Sequence, residues 1–405
     1  MKKRVFLILG IVLIFLTTSP LISENSKNLK EKAIKIIRSS IVADTHEDTP
    51  TTIYRGKSIT IRRSEGQIDF PRMLEGGLNA PVFAIWISNK LDEKNPEVYA
   101  LKVMSATLRE IYKNENIAEI AYSSNDIKRI VEKGKIAITF SLENSSVFHS
   151  SEYVDIFYKL GIRMASLTHM STNYLSDSST DKEKWSGISP LGEEIIRRMN
   201  KVGMIVDVSH LSDKAVEDIL RISTAPIIAS HSCARALAEH PRNLTDKLIK
   251  AIAERGGLID VNFASFYLDG SLREKYKKIK KKYDGLIEEV KKRYKNNGEK
   301  LEREINVLKE KRKEEYSAAK PDLSIVVKHI MYIRDLVGID HVGIGSDFEG
   351  IGNSAPRGLE DVSKLPDLVV EMIKAGFTDE EIKKVLGLNF LRLYKEVEKK
   401  KTINL

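Results

Sequence analysis

The sequence predicts an α/β fold in which eight parallel strands and their helices close into a (β/α)8 TIM barrel. Short runs rich in Ile and Val recur along the 405 residues, and segments with helical spacing separate them. Such runs are typical of parallel strands that are buried on both faces. Two consecutive runs, 204–209 and 226–230, each end directly in a histidine, and an amphipathic segment, 213–222, lies between them. This order indicates successive units of a parallel barrel.

The remaining elements can be placed in order along the chain. The eight predicted strands are 41–44, 81–87, 135–140, 164–167, 204–209, 226–230, 257–261 and 341–345. Helical spacing is found at 97–112, 125–132, 191–201, 213–222, 245–254 and 324–337, and two more helices are expected on the barrel within 365–400. Eight alternating units in a few hundred residues indicate a closed barrel.

The amino terminus has the pattern of an export signal. A basic start, Met1–Arg4, precedes an apolar run, Val5–Leu16, that is too short for a comfortable membrane span. We expect residues 1–23 to be a signal peptide cleaved near Ser23 or an uncleaved membrane anchor, and the protein to be periplasmic or extracellular. Because Cys233 is the single cysteine, no internal disulfide can form, and residues 24–405 must be stabilised by their core.

The formal charge of +9 is concentrated in one segment. Residues 271–320 hold 18 Lys or Arg and 10 Asp or Glu, a net charge of +8. Apolar residues at helical spacing on both sides of Asn296–Gly298 predict a charged helical hairpin, inserted at about 265–322. The hairpin could be a solvated insert, an arm that pairs the subunits of a homodimer, or a surface that attracts an acidic partner. We expect no nucleic acid as a partner.

Side chains that can bind a metal follow several of the predicted strands. His46 and Asp48 end the first strand and are two residues apart, so both project to the same side. Glu143 follows the third strand, where burying an unpaired carboxylate would be costly. The carboxyl ends of parallel strands meet at one face of a barrel, which is where ligands bind. The polar groups at these strand ends are His46, Asp48, Glu143, His169, His210, His231 and Asp347.

This set of side chains predicts two zinc ions. Nitrogen and oxygen ligands without thiolate suit zinc or a similar divalent ion, and their number exceeds what one catalytic zinc needs. The economical arrangement gives His46 and Asp48 to one ion, His210 and His231 to the other, and Glu143 to both. Because metal coordination lowers the pKa of water from about 16 to about 7, a bridging hydroxide is the predicted nucleophile.

Short motifs in order along the chain carry a family resemblance, which runs from about Ile41 to about Glu396. They are Asp44–Asp48, Gly76-Gly77 through Trp86, Glu143, Leu167–His169 with Asn173, Asp207–His210, Ser230–Ser232, Arg242-Asn243, Gly343–Gly350 and Gly358–Val362. Together they resemble the membrane dipeptidase family, also called renal dipeptidase-like enzymes. That family is a branch of the metal-dependent hydrolases with (β/α)8 barrels. The chain looks like an exported member of bacterial type.

The resemblance implies a role for each site residue. It implies that the zinc ligands are His46, Asp48, Glu143, His210 and His231, with Glu143 bridging. It also implies that His169 polarises the scissile carbonyl, that Arg242 binds the free carboxylate of the substrate, and that Asp347 moves the proton. The chemistry agrees, because an imidazole can stabilise the charge that develops on the carbonyl oxygen and a carboxyl group can protonate the leaving amine. On spacing alone, Arg242 would be interpreted as a surface ion pair.

Two departures from the family pattern lie beside the predicted chemistry. Asn144 and Ser145 follow the bridging acid where the family usually has glycines, and Glu349 stands where an Asp is common. We expect these residues to affect the shape of the pocket more than metal binding. The cysteines and the lipid anchor of the animal enzymes are missing.

We therefore predict an exported binuclear zinc dipeptidase that hydrolyses small peptides with a free carboxyl end. One alternative is a related binuclear amidohydrolase that acts on N-acyl amino acids or lactams with the same metal pair. A second alternative is not an enzyme but an exported peptide-binding protein on a decayed barrel. The presence of all five predicted ligands and of Asp347 argues against the second alternative.

Overall fold

The computed structural model describes residues 18–91 and 95–405, in which nine parallel strands form one sheet. They are β1 (Ala43–Glu47), β2 (Ala80–Trp86), β3 (Ala118–Ile120), β4 (Ile136–Glu143), β5 (Ile162–Ser166), β6 (Ile205–Asp207), β7 (Ile228–Ala229), β8 (Leu258–Val261) and β9 (Val342–Ile344). Eight of them pair in the order β1-β2-β4-β5-β6-β7-β8-β9. All eight predicted strands are present, and the predicted barrel is confirmed.

The ring closes between its last and first strands through two backbone hydrogen bonds. The amide of Asp48 donates to the carbonyl of Phe348 at 2.9 Å, and the amide of Asp347 donates to the carbonyl of His46 at 3.0 Å. The remaining strand, β3, pairs only with β4 and lies outside the ring. Since it has three residues, it is too short to show a period of two in the sequence, and it was not predicted.

Sixteen α-helices surround the strands in the described part of the chain. They are α1 (Thr18–Arg38), α2 (Thr49–Tyr54), α3 (Phe70–Gly76), α4 (Pro96–Tyr112), α5 (Ser124–Glu132), α6 (Ser151–Lys159), α7 (Pro190–Val202), α8 (Asp213–Ile222), α9 (Asp246–Glu254), α10 (Ser265–Leu268), α11 (Leu272–Arg293), α12 (Gly298–Ala319), α13 (Ser324–Val337), α14 (Leu365–Lys374), α15 (Asp379–Lys383) and α16 (Asn389–Lys400). The six helices predicted between the strands agree with α4, α5, α7, α8, α9 and α13 to within a residue at each end.

The helices begin where the sequence supplies capping groups. The hydroxyl of Ser212 accepts a hydrogen bond from the amide of Ala215 at the start of α8, and Thr245 caps α9 in the same way. The apolar faces of both helices are buried against the barrel. Burial of these faces fixes the orientation of each strand and helix pair, and therefore the position of each strand end.

The carboxyl-terminal region holds three α-helices where two were predicted. After α14 and α15, a π-helical turn, Lys384–Leu388, precedes α16. A Cβ atom on Gly387 would lie 2.4 Å from the carbonyl oxygen of Ile41, so the backbones approach too closely for any other residue. Phe390 and Tyr394 of α16 pack in one cluster with residues at the starts of several strands, such as Ala43 and Ile205. The last helix therefore covers the amino-terminal end of the barrel.

The predicted charged hairpin is confirmed as α11 and α12. The two helices pack against each other, and Ile279 and Tyr283 of α11 are buried. Ion pairs join the two helices, including Lys282 with Glu315 at 2.7 Å. The hairpin follows β8 and the short α10, so it lies on the side of the barrel where the strands end.

The apolar run of the predicted signal, Val5–Leu16, falls outside the described residues. Within 18–91 and 95–405, we find no helix that combines the length and the apolar character needed to cross a bilayer.

Candidate metal centre

Side chains from the carboxyl ends of four strands meet around one carboxylate. Glu143 ends β4, and its Oε1 lies 2.9 Å from Nε2 of His210, which follows β6. The same oxygen lies 3.5 Å from Nε2 of His46 in β1 and 3.5 Å from Nε2 of His231 after β7. These three histidines and Glu143 are at most 5% exposed. Their nitrogen and oxygen atoms therefore face a common, buried point.

Two aspartates complete the group on the β1 and β9 side. Potential ligand atoms of His46, Asp48 and Asp347 lie within 4.8 Å of one another. Asp48 is the residue before α2, but its side chain does not cap that helix and is free to face the other ligands. The structure thus brings together all of the predicted metal ligands.

The backbone turns sharply at the strand ends that carry the site. His210 and Asp347 have φ angles of 73° and 63°, a left-handed conformation that is uncommon outside glycine. Such conformations cluster at functional sites, where the surrounding structure holds them. Here they turn the side chains of the two residues from the strand direction into the centre of the barrel mouth.

Hydrogen bonds beneath the site fix the orientation of His231. The hydroxyl of Ser230 donates to Oδ2 of Asp207 at 2.6 Å, and it lies 2.7 Å from Nδ1 of His231. Because the hydroxyl of Ser230 donates its one proton to Asp207, Nδ1 of His231 must donate to the Ser230 oxygen. The Nε2 atom of His231 is then unprotonated and available to a metal.

His169 is held in the opposite tautomer. The indole Nε1 of Trp86 can only donate, and it lies 3.3 Å from Nδ1 of His169. Nδ1 is therefore the acceptor, and the proton of the neutral ring is on Nε2, which lies 4.0 Å from Oε1 of Glu143. Burial lowers the pKa of His169, which keeps the ring neutral. His169 therefore presents a hydrogen-bond donor to the site.

Arg242 is a buried cation with no carboxylate partner. It is 3% exposed and forms no ion pair within the described part of the chain. Its Nη2 donates to the carbonyl of His231 at 3.1 Å, while Nε has no partner, and its guanidinium lies 5.5 Å from the ring centroid of Tyr267. The interpretation of Arg242 as a surface ion pair is wrong. Such a group can bind an anion that enters the site.

Asn262 is a site residue that the sequence analysis did not select. Its Nδ2 donates to Oδ2 of Asp347 at 2.9 Å and lies 3.4 Å from the carbonyl oxygen of His231. It directly follows β8, so the rule that selected the other strand-end residues would have found it. Burial raises the pKa of Asp347 to about 6, although His46 and Asn262 act in the opposite direction.

The electrostatics of the centre fit a metal ion. Burial lowers the pKa of His46, but the carboxylates of Glu143, Asp48 and Asp347 together outweigh this and raise it to about 10. Burial lowers the pKa values of His210 and His231, which lie 2.8 Å apart through their Nε2 atoms. Nε2 of His46 and Oδ1 of Asp48 are buried and have no hydrogen-bond partner. A divalent cation would bind the lone pairs of such unpaired nitrogen and oxygen atoms.

A cavity of about 480 Å³ opens onto the centre. Glu143, His169, His210, Tyr267 and Asp347 are among the residues that line it. This volume is within the range of small-molecule sites. The wall includes backbone and side chains from α2, from the segment around α10 and from the loop after β9.

Comparison with known proteins gives the family. The model of the membrane dipeptidase family, Peptidase family M19, matches residues 30–404. The chain belongs to the membrane dipeptidase family. The enzyme is 30% identical to the dipeptidase TcpJ of Claviceps purpurea over 346 residues, which are 82% of this chain and 70% of that protein. It is 29% identical to the dipeptidase AtaJ of Aspergillus terreus over 391 residues, which are 88% of this chain and 84% of that protein.

A solved structure supports the same assignment. The probable dipeptidase PvdM from Pseudomonas aeruginosa superimposes with a TM-score of 0.77 and 28% sequence identity. The match covers 92% of this chain and 99% of the PvdM chain. The resemblance seen in the sequence is confirmed, and the enzyme is a metal-dependent hydrolase of peptides.

Two residues that depart from the family pattern, Asn144 and Glu349, hold neighbouring loops in place through hydrogen bonds. Oε1 of Glu349 accepts hydrogen bonds from the amides of Gln67 and Ile68 and from the guanidinium of Arg63. Asn144 donates from Nδ2 to the carbonyl of Ile87 at 2.9 Å and adopts a φ of 62°. Both side chains therefore stabilise the loops that border the cavity.

Proposed function

We propose that the enzyme is a binuclear zinc dipeptidase that hydrolyses dipeptides with a free carboxyl end. The observation that carries this proposal is the position of Glu143, whose Oε1 lies between 2.9 and 3.5 Å from Nε2 of three buried histidines. One carboxylate in contact with ligands from both sides of the barrel mouth can serve two ions. A site for one catalytic zinc would need fewer ligands than are gathered here.

We propose that the residues divide between two ions. His46 and Asp48 would hold one ion, His210 and His231 would hold the other, and Glu143 would bind both. Nitrogen and oxygen donors without thiolate favour zinc among the common metals. When bound, zinc supplies Lewis acidity and activates a water molecule for attack at neutral pH.

His169 is suited to the carbonyl of the scissile bond. Its Nε2 carries the proton because Nδ1 accepts from Trp86. A neutral imidazole that donates from Nε2 can stabilise the negative charge that develops on the carbonyl oxygen during attack. Its pKa is lowered by burial, so it stays a neutral donor over the pH range in which dipeptidases would act.

Asp347 is suited to the transfer of a proton. It lies beside His46 and Asp48, and Asn262 holds one of its oxygens at 2.9 Å. The other carboxylate oxygen can accept a proton from the attacking water and deliver it to the leaving amine.

Arg242 is suited to the free carboxylate of the substrate. A buried guanidinium without an ion pair is unfavourable in the free enzyme, and a bound carboxylate would supply the missing charge. We expect Arg242→Ala to raise KM for dipeptides about 10- to 100-fold and to leave KM for the carboxyl-amidated analogues nearly unchanged. Steady-state kinetics on both substrates test this. Equal effects on free and amidated substrates would show that Arg242 has only a structural role.

The first experiment is a dipeptide panel in which each member is paired with its carboxyl-amidated analogue. Release of free amino acids is measured with the zinc-loaded enzyme and with a chelated control. Cleavage of the free dipeptides alone, lost on chelation, is the expected result. Cleavage of both members would point to an amidohydrolase of wider range. Binding of two metals without cleavage of any member would contradict the peptidase assignment of this chain.

We also propose that the enzyme is exported. The support is the sequence of residues 1–23, with its basic start and short apolar run. Mass spectrometry of the enzyme recovered from the cell envelope and from the medium would find the amino terminus near residue 24. A full-length chain confined to the cell interior would contradict export.

A further inference from the structure

A second cavity lies beside the catalytic one, on the side of the hairpin. Its volume is about 620 Å³, larger than that of the catalytic cavity. Phe266, Ile351 and Ser354 line both cavities. A dipeptide needs only the catalytic cavity, which by itself has the volume of a small-molecule site. The adjoining space is therefore available to a larger substrate.

Aromatic rings form a wall of this second cavity. The rings of Phe266 and Tyr276 meet edge to face with centroids 5.2 Å apart, and those of Tyr276 and Tyr316 are 4.5 Å apart. The hydroxyl of Tyr276 also donates to the carbonyl of Tyr316 at 3.0 Å. These contacts join α11 and α12 of the hairpin to α10, so the wall is held in place by packing.

Basic residues of α12 and the residue that follows it also line the cavity, and most of their charges are unpaired. Lys309, Lys313 and Lys320 line the cavity, and none of the three forms an ion pair within the described residues. Arg312 also lines it and is paired with Asp284 at 3.3 Å. The only acidic lining residue among those described is Glu360. The cavity is therefore a positively charged site.

Several lysines elsewhere in the hairpin are paired, whereas the three cavity lysines are not. Lys280 pairs with Asp284, Lys282 with Glu315 and Lys291 with Glu288. Burial lowers the pKa of Lys320, although the charge of Glu360 acts in the opposite direction, so holding this lysine charged in the cavity has a cost. A negatively charged ligand would remove that cost.

The two cavities would bind two different anionic groups. In the catalytic cavity, the proposed metal ions would balance the carboxylates of Asp48, Glu143 and Asp347, and Arg242 would bind the free carboxylate of the substrate. The unpaired lysines on the hairpin side are available to a second negatively charged group. A substrate that spans both cavities would therefore carry an anionic group on its side chain as well as its free carboxylate.

We propose that the hairpin cavity is a subsite for a bulky side chain of the dipeptide that ends in a negatively charged group. The proposal rests on the proposed dipeptidase function and names the substrate class of the same site. The aromatic wall would contact the apolar part of that side chain, and the lysines would bind its anionic end. The substrates would be dipeptides in which one residue carries a long, acidic substituent.

Matched probes test the subsite. Lys-Ala and Ala-Lys are acylated on the lysine side chain with a succinyl group, which is anionic, or with a succinamoyl group, which has nearly the same shape and no charge. For at least one order of residues, kcat/KM should be about tenfold higher for the succinyl probe. In the variant Lys309→Gln/Lys313→Gln/Lys320→Gln this preference should disappear, while cleavage of Ala-Ala stays unchanged.

A control variant removes the same charge from the same hairpin away from the cavity. Lys278, Lys292 and Lys295 are exposed, form no ion pair within the described residues and do not line the cavity. Their triple replacement by Gln should keep the preference. Equal kcat/KM for the succinyl and succinamoyl probes in both orders, with Ala-Ala cleaved, would overturn the subsite alone, as would a preference that survives in the cavity variant. Cleavage of neither probe nor Ala-Ala would contradict the dipeptidase function itself and the subsite with it.

Discussion

The ring of His231 is fixed by Ser230, which is not one of the proposed metal ligands. Ser230 donates to Asp207 and accepts from Nδ1 of His231, so one hydroxyl selects both the tautomer and the rotation of the ring. All three side chains are buried, and a lost hydrogen bond here would not be replaced by bulk water. Partners of this kind are known to tune the affinity of histidine ligands.

We predict that Ser230→Ala lowers the affinity for zinc about 10- to 100-fold, because Nδ1 of His231 loses its acceptor. Competition with a fluorescent chelator measures this affinity. Ser230→Thr keeps the hydroxyl and should retain most of the affinity. Ser141→Ala is a matched control, since Ser141 is also buried near the end of a strand but its hydroxyl has no partner. Unchanged affinity in Ser230→Ala would contradict the role of this hydrogen-bond chain.

Glu143 and Asp347 should respond differently to neutralisation. Because Glu143 would bind both ions, Glu143→Gln should lower the metal content at both positions. Asp347→Asn should keep the metal and lower kcat by about 100-fold or more, since the proton acceptor is lost. Metal analysis and steady-state kinetics on the two variants separate these effects. Full activity in either variant would disprove the assigned role.

The strand-end residues of the site could be predicted from the sequence, whereas their supporting contacts could not. His210 directly follows an apolar run and Glu143 comes shortly after one, so the pattern that predicts each strand also places the side chain. The contact of Trp86 with His169 depends on how two neighbouring strands are aligned and on the rotamers of both rings. The buried state of Arg242 depends on the fold of the loop after β7. Neither property leaves a local pattern in the sequence.

At the level of single elements, the strands of the barrel tolerate less change than the hairpin. A Cβ atom on Gly345, next to the end of β9, would lie 1.7 Å from the carbonyl oxygen of Ser230. The same atom on Gly285, inside α11, would meet nothing within 4 Å. The first glycine is required by close backbone approach, while the second only weakens a helix.

We therefore predict opposite effects for two identical substitutions. Gly345→Ala should lower the free energy of unfolding by about 3 kcal/mol or more, because the backbone of two strands must move apart. Gly285→Ala should raise the stability of the hairpin helix by about 1 kcal/mol. Urea unfolding followed by circular dichroism measures both. If Gly285→Ala is also strongly destabilising, then α11 is packed more tightly than its structure shows.

The elements that could be predicted well are the longer segments with regularly spaced apolar residues. The helix predicted at 213–222 coincides with α8, because five apolar side chains on one face are buried together. The strand β3 and the π-helical turn at Lys384–Leu388 were missed because tertiary contacts determine them. The turn forms where Gly387 contacts the backbone of Ile41, and these two residues are far apart in the sequence.

At the scale of the whole molecule, His329 connects three elements that are distant in sequence. It lies on α13 and is fully buried. Its Nδ1 accepts from the amide of Ala234, after β7, at 3.2 Å, and its Nε2 donates to the carbonyl of Leu268, at the end of α10, at 3.1 Å. A second proton on Nδ1 would face the Ala234 amide, so the folded state needs the neutral ring.

This arrangement makes the stability depend on pH. Burial lowers the pKa of His329 to about 4, while the hydrogen bond to Leu268 acts in the opposite direction. In the unfolded chain the pKa is about 6.5, so below this pH the unfolded state binds more protons than the folded state. The free energy of unfolding should therefore fall as the pH drops from 6.5 to 4, by about 2 to 3 kcal/mol from this residue.

We predict that the variant His329→Gln lacks this part of the pH dependence, because an amide can donate and accept without taking up a proton. At pH 7 the variant should be less stable than the wild type, and the difference should shrink by about 2 to 3 kcal/mol at pH 4. Urea unfolding at both pH values, with a chelator present so that metal release does not contribute, measures this. A stability difference that stays constant between pH 7 and pH 4 would show that His329 does not titrate in this range. The contact between α13, α10 and the loop after β7 would then be maintained at acid pH by packing alone.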